Sequence, residues 1–279
     1  MGYTGTDLSS IRSVVRRFEG KVLGTRCTPR FRLTMTVLAL VASTAACSQV
    51  KSLATGGCTG DKPFVLVMVD GSSTQNDPAL IAQQVEVVTN VARRTSEECG
   101  RLRVERFRGS ASDVDTILDR DVTPKGATAS NRNRTRDDLL AEVRQTVEQG
   151  LAAAPAQGGS DPVGAMGRGA RLLGQEQRDH KQLILVTDGV QSSSPNLATE
   201  DLTVATAKSF VDQAGTLPDL SGIDLVVTGV GRVSGPQPPS SYINGLVAFY
   251  KEVCARSGAA SCQVVDALLL PGGSSGGGS

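Results

Sequence analysis

Phe64-Val65-Leu66-Val67-Met68-Val69-Asp70-Gly71-Ser72-Ser73-Thr74 is an unbroken apolar run that ends in a carboxylate and, at alternate positions, two hydroxyls. An apolar run without polar interruption is what a strand buried on both faces requires, the pattern of a parallel sheet covered by helices on either side. In open sheets of that kind, ligands sit just past the carboxyl ends of the strands. Asp70, Ser72 and Thr74 therefore project oxygens where such a sheet does its work, and an oxygen-only set suits a hard cation.

Working outward, Asp77-Pro78 opens a helix over 79–98, with Leu80, Ile81, Val85, Val88 and Val91 at three- and four-residue steps. Residues 102–107 alternate apolar and charged side chains as a half-buried strand, and 114–122 add an edge strand. A polar segment, 123–134, reads as an exposed loop. Thr135 with Asp138 then resembles a capping box for a helix running to about Ala153, with Leu139, Leu140, Val143 and Val147 inward. After the break at Pro155-Ala156-Gln157-Gly158-Gly159, a short helix spans 162–173. A second continuous apolar strand, Leu183-Ile184-Leu185-Val186, runs into another carboxylate turn, Thr187-Asp188-Gly189. Helix 204–213, strand 223–228, helix 242–256 and strand 262–268 complete the pattern. Strands alternating with helices predict an α/β fold: a doubly wound, mostly parallel six-stranded sheet with helices on both faces. Residues 62–270 form that domain.

Three loops then converge on one site: Asp70, Ser72 and Thr74 after the first strand, Ser160 in Gly158-Gly159-Ser160-Asp161-Pro162 at a helix entrance, and Asp188 after the central strand. This set resembles the von Willebrand factor A (VWA) domain, a Rossmann-like fold, with its metal-ion-dependent adhesion site. That family's pattern is Asp-x-Ser-x-Ser, then a Thr in a Gly-Gly-Thr turn, then an Asp after an apolar strand. Thr74 stands for the last Ser and Ser160 for the Thr, each keeping a hydroxyl, and Asp161 is an alternative ligand to Ser160. The resemblance implies a non-enzymatic module that holds Mg²⁺ or Mn²⁺ through Asp70, Ser72, Thr74, Ser160 and Asp188. It also implies a partner protein that offers an acidic side chain to the ion's open coordination position. Magnesium keeps several waters in its octahedron, so two carboxylates and a few hydroxyls suit it without a full protein cage. Segment 123–134, with Arg132, Arg134 and the nearby Arg136, is a candidate rim for that partner.

Charge and composition exclude other classes. The whole chain carries +1, but residues 1–46 hold seven Lys/Arg against Asp7 and Glu19, so the remainder is about −4. With aromatics at 3% and no Trp, neither a basic face nor stacking platforms for nucleic acid are offered. The positive segment is itself informative. Arg26, Arg30 and Arg32 precede a short uncharged apolar run over 33–42, and Ser43-Thr44-Ala45-Ala46 then lead to Cys47, the order of a signal peptide. Small residues before a Cys resemble a bacterial lipoprotein processing site, which implies a lipid on Cys47 and anchoring at the extracytoplasmic face of the cell membrane. An uncleaved anchor is the competing reading, although the run is shorter than the roughly 20 apolar residues of a span. Residues 47–61 then form a tether, and 271–279 a Gly/Ser-rich tail.

Export puts Cys58, Cys99, Cys254 and Cys262 in an oxidising compartment. Their positions at helix ends and strand starts predict bridges Cys58 to Cys99 and Cys254 to Cys262, and without a C-x-x-C spacing a zinc site is not indicated. A haloacid dehalogenase-type phosphatase needs a second Asp where Ser72 stands. The sole histidine, His180, belongs just before the central strand, at the far edge from the carboxylates, which speaks against a Ser-His-Asp hydrolase. Gly229-Val230-Gly231, with the next Gly at 235, reads as a turn and not as a dinucleotide loop. Asn133-Arg134-Thr135 fits a glycosylation sequon by chance. The alternatives to an adhesion module are a structural interaction domain with an unused metal site and a metal-assisted hydrolase.

Overall fold

The computed structural model describes residues 62–110, 112–153, 158–199 and 201–268. The leader, Cys47, the tether, Cys58 and the Gly/Ser tail lie outside the described residues. Six strands form one sheet in the order β3-β2-β1-β4-β5-β6: β1 Phe64–Asp70, β2 Arg101–Phe107, β3 Val114–Asp121, β4 Lys181–Val186, β5 Asp224–Thr228 and β6 Ser261–Val265. All neighbours pair in parallel except β2 and β3, which are antiparallel. The helices are α1 Pro78–Glu97, α2 Ala129–Ala152, α3 Pro162–Gly174, α4 Ala207–Gln213 and α5 Ser240–Arg256.

The predicted doubly wound α/β architecture is what the chain adopts. Alternate residues of β1 point to opposite faces, and the two faces fill separate cores. Leu66 and Met68 join Met166 and Leu173 of α3 and Leu246 and Phe249 of α5. Val65, Val67 and Val69 join Val85, Val88 and Val91 of α1 and Val143 and Val147 of α2. Burial of every β1 residue explains why its sequence is continuously apolar. The chain winds from β1 to β2 in one direction and later to β4 in the other, so the sheet's switch point falls between the carboxyl ends of β1 and β4.

Four elements differ from their sequence reading. The second helix begins at Ala129, with the Thr128 side chain accepting from the Asn131 N–H as N-cap. Thr135 is inside it, its hydroxyl donating to the Asn131 carbonyl, so only 123–128 is loop. β2 is more than half-buried: Glu105 is 0% exposed and neutralised by Arg103 (2.8 Å) and by Arg168 of α3 (3.0 Å). Its charged face meets a helix instead of water, which alternation alone does not reveal. β6 and α4 are shorter than predicted, ending at Val265 and starting at Ala207.

The predicted Cys254–Cys262 disulfide is present, with Cα atoms 6.1 Å apart, and ties the end of α5 to the start of β6. Cys99 is also disulfide-bonded, and its predicted partner, Cys58, is outside the described residues. Among the described residues no helix is long and apolar enough to cross a membrane.

Candidate metal centre

Asp70 ends β1 and is 1% exposed; Asp188 follows β4 and is 0% exposed. The chain turns sharply after each. Past Asp70, its own Oδ1 accepts from the Ser72 N–H at 2.9 Å, and a 3₁₀ turn, Ser73–Gln75, follows. Past Asp188, Oδ1 accepts from the Val190 N–H at 2.9 Å, and Gly189 takes φ +78, where a side chain would also strike the Tyr250 ring.

The hydroxyls knit these turns together. Ser72 Oγ lies 3.1 Å from Thr74 Oγ1, and Thr74 donates to Asp188 Oδ2 at 2.6 Å. Ser160 donates to Asp70 Oδ2 at 2.8 Å, and Thr187 donates to the same oxygen at 2.6 Å. Ser72 and Ser160 are buried, while Thr74 is exposed, so the cluster opens to solvent on the Thr74 side. All five sequence-derived positions, Asp70, Ser72, Thr74, Ser160 and Asp188, are thus gathered into one hydrogen-bonded group.

Asp161 is engaged differently. Its Oδ1 accepts from the Gly164 N–H and from Ser193 Oγ, both at 3.0 Å, as the N-cap of α3. Capping at this position, with Pro162 in the first turn, is what starts the helix. Ser160 therefore faces the Asp70 carboxylate, held by Gly159 at φ +88 and by a Ser192 Oγ bond to its N–H at 2.8 Å.

Residues that sequence reasoning left without a role complete the frame. Thr187 bridges the two carboxylate turns through Asp70. The Tyr250 hydroxyl of α5, fully buried, donates to the Gly189 carbonyl at 2.9 Å. Gln75, 2% exposed, accepts from Gln84 at 2.9 Å and donates to the Arg232 carbonyl at 2.6 Å, joining the β1 turn to the turn after β5. Thr187 was visible inside Thr187-Asp188-Gly189; Gln75 and Tyr250 carried no local signal.

The electrostatics suit a cation. Among the described residues no Lys, Arg or His forms an ion pair with Asp70 or Asp188. Burial raises the Asp70 carboxyl above its ordinary range against the bonds from Thr187, Ser72 and Ser160. Burial, and then the charge of Asp70, push Asp188 up to about 7. Two carboxylates enclosed together with only neutral donors are costly as anions, and a divalent ion among them would offset both charges. The donors are hard oxygens throughout, as Mg²⁺ or Mn²⁺ prefers. Among the described residues no group of three or more His, Cys, Asp or Glu is placed to hold a metal, so any ion here depends on the hydroxyls.

Two other sequence readings resolve in space. His180 is exposed and precedes β4, at the opposite end of that strand from Asp188. Arg132, Arg134 and Arg136 are not a rim for the site. Asp121, at the end of β3, pairs with Arg101, at the start of β2, so segment 123–134 begins at the amino end of the parallel strands.

No family model and no curated protein matches the sequence. Several solved structures are similar in fold. The pilus adhesin SpaC from Lactobacillus rhamnosus GG is 12% identical, over 75% of this chain and 28% of that one, with a TM-score of 0.41. An aerotolerance-related membrane protein from Bacteroides fragilis is 17% identical, over 72% and 90% of the two chains, at 0.38. The von Willebrand factor domain of the type V pili tip protein Mfa5 from Porphyromonas gingivalis is 14% identical, over 48% and 40%, at 0.32. The chain thus spans little more than a quarter of the SpaC adhesin's length.

Proposed function

We propose that this chain is a VWA-like, divalent-cation-dependent protein-binding module, without enzymatic activity, held at the outer face of a bacterial membrane by a lipid on Cys47. The observation that carries the reading is the pair of buried carboxylates, Asp70 and Asp188, at the switch point of the sheet, tied to Ser72, Thr74 and Ser160 and, among the described residues, to no cationic side chain. Asp70, Ser72, Thr74, Ser160 and Asp188 would hold Mg²⁺ or Mn²⁺. When bound, the ion would supply a Lewis-acidic position open to a partner's carboxylate. The residues' own contribution is placement. Tyr250 and Thr187 fix the Asp188 turn, Ser192 fixes Ser160, and Gln75 fixes the turn after β1.

Capture from envelope extract tests this. With the protein as bait, an acidic partner should be retained in magnesium and released by chelator, and Asp188→Asn should retain it in neither. Retention that ignores chelator and the Asp188→Asn substitution alike would favour a structural interaction domain with an unused metal site.

A further inference from the structure

The candidate cation site and the point at which the tether enters the domain lie at opposite ends of one strand. β1 has seven residues, so Lys62, just before it, is about 20 Å or more from Asp70 at its far end. Lys62 lines a cavity of about 570 Å³ between the start of β1, the end of β3 and the Thr135–Glu142 stretch of α2. The charges there do not cancel. Arg120 pairs with Glu142 at 2.6 Å and Arg178 with Asp121 at 3.3 Å, which leaves Lys62 and Lys125 facing one further carboxylate, Asp138. Arg132, Arg134 and Arg136 add positive charge in the opening turns of α2, against one more carboxylate, Asp137. The helix macrodipole opposes cations at that end, so helix stability does not account for them. This local surplus stands out in a chain whose residues 47–279 total about −4, the +1 of the whole less the +5 of residues 1–46.

From this placement we infer that the Lys62/Lys125 end of the domain docks on anionic lipid headgroups of the membrane that holds Cys47, so that the cation site points away from the bilayer. The inference rests on the anchoring part of the proposed function. Cys47 and Asp61 bound 15 residues, whose maximum reach is roughly 50 Å, so chain length alone selects no orientation of the domain. Lysines and arginines beside an anionic surface supply an orienting contact within a Debye length of about 8 Å. A domain held this way offers its site to partners arriving from outside, and turns it from proteins embedded beside it.

The test uses the exported protein, purified from envelope and reconstituted in vesicles, labelled with a donor fluorophore at Ala127→Cys near the cationic end or at Asn76→Cys near the cation site. Both positions are exposed. Energy transfer to a headgroup acceptor should be several-fold stronger from position 127 than from position 76 in vesicles containing phosphatidylglycerol. The difference should collapse in pure phosphatidylcholine, in high salt, and with Lys62→Glu and Lys125→Glu combined, at unchanged melting temperature. Equal transfer from the two labels, or a difference indifferent to headgroup charge, would overturn the docking. Intact mass of the same preparation reports lipidation separately: absence of lipid on Cys47 overturns the anchoring premise and the docking with it.

Discussion

The Asp70 carboxyl is enclosed by neutral donors, and its three hydrogen bonds do not require a charge on it. An amide in its place can keep the acceptor toward the Ser72 N–H and direct its NH₂ toward the Ser160 and Thr187 oxygens, which accept as readily as they donate. Asp70→Asn is therefore expected to raise the stability of the metal-free protein, on the order of 1 kcal/mol in urea unfolding, while abolishing any response to Mg²⁺. Tyr250 behaves oppositely. Tyr250→Phe removes the donor to the Gly189 carbonyl and leaves a buried acceptor unpaired, an expected loss of about 1–2 kcal/mol together with a weaker Mg²⁺ response. The candidate ligands could be found from their letters because carboxylates and hydroxyls after apolar strands announce their chemistry. Tyr250 could not, because an aromatic at helical spacing looks the same whether it fills a core or reaches a carbonyl 61 residues away.

At the level of elements, the strands were readable wherever both faces are covered, since β1 and β4 left no polar interruption to misread. The start of α2 was not. Its first buried residue is Leu139, ten residues after its first, so the apolar period that announces a helix begins long after the helix does. The sequence reading put the cap at Thr135, whereas the backbone places it at Thr128, whose side chain accepts from the Asn131 N–H. Thr128→Ala is expected to cost about 1 kcal/mol and Thr135→Ala only a few tenths, measurable in parallel denaturant titrations. The disulfide is a second element-scale device. With its ends eight positions apart in the chain, Cys254–Cys262 closes a short loop, so Cys262→Ser should cost about 2 kcal/mol, without altering the Mg²⁺ response, because the bond lies at the end of the sheet away from Asp188.

Across the whole molecule, the strand order does the functional work. Reversal of winding at β1 and β4 brings together two carboxylates 118 positions apart in the chain, and places the cysteine bridge and tether entry at the other end. The order of elements in the sequence sufficed for that, whereas the polar stretch 123–134 was assigned to the wrong end because the antiparallel β3 carries the chain back to the amino end of the sheet before that stretch begins. The most direct measurement is the unfolding free energy of the protein and of Asp188→Asn with and without magnesium. A ligand that binds only the native state at 100 times its Kd adds about 2.7 kcal/mol. The expected result is a gain of that order for the natural sequence, saturable, matched by Mn²⁺ and absent from Asp188→Asn. Unfolding curves that coincide with and without either ion, or that shift equally in Asp188→Asn, would contradict a cation site built on Asp70 and Asp188.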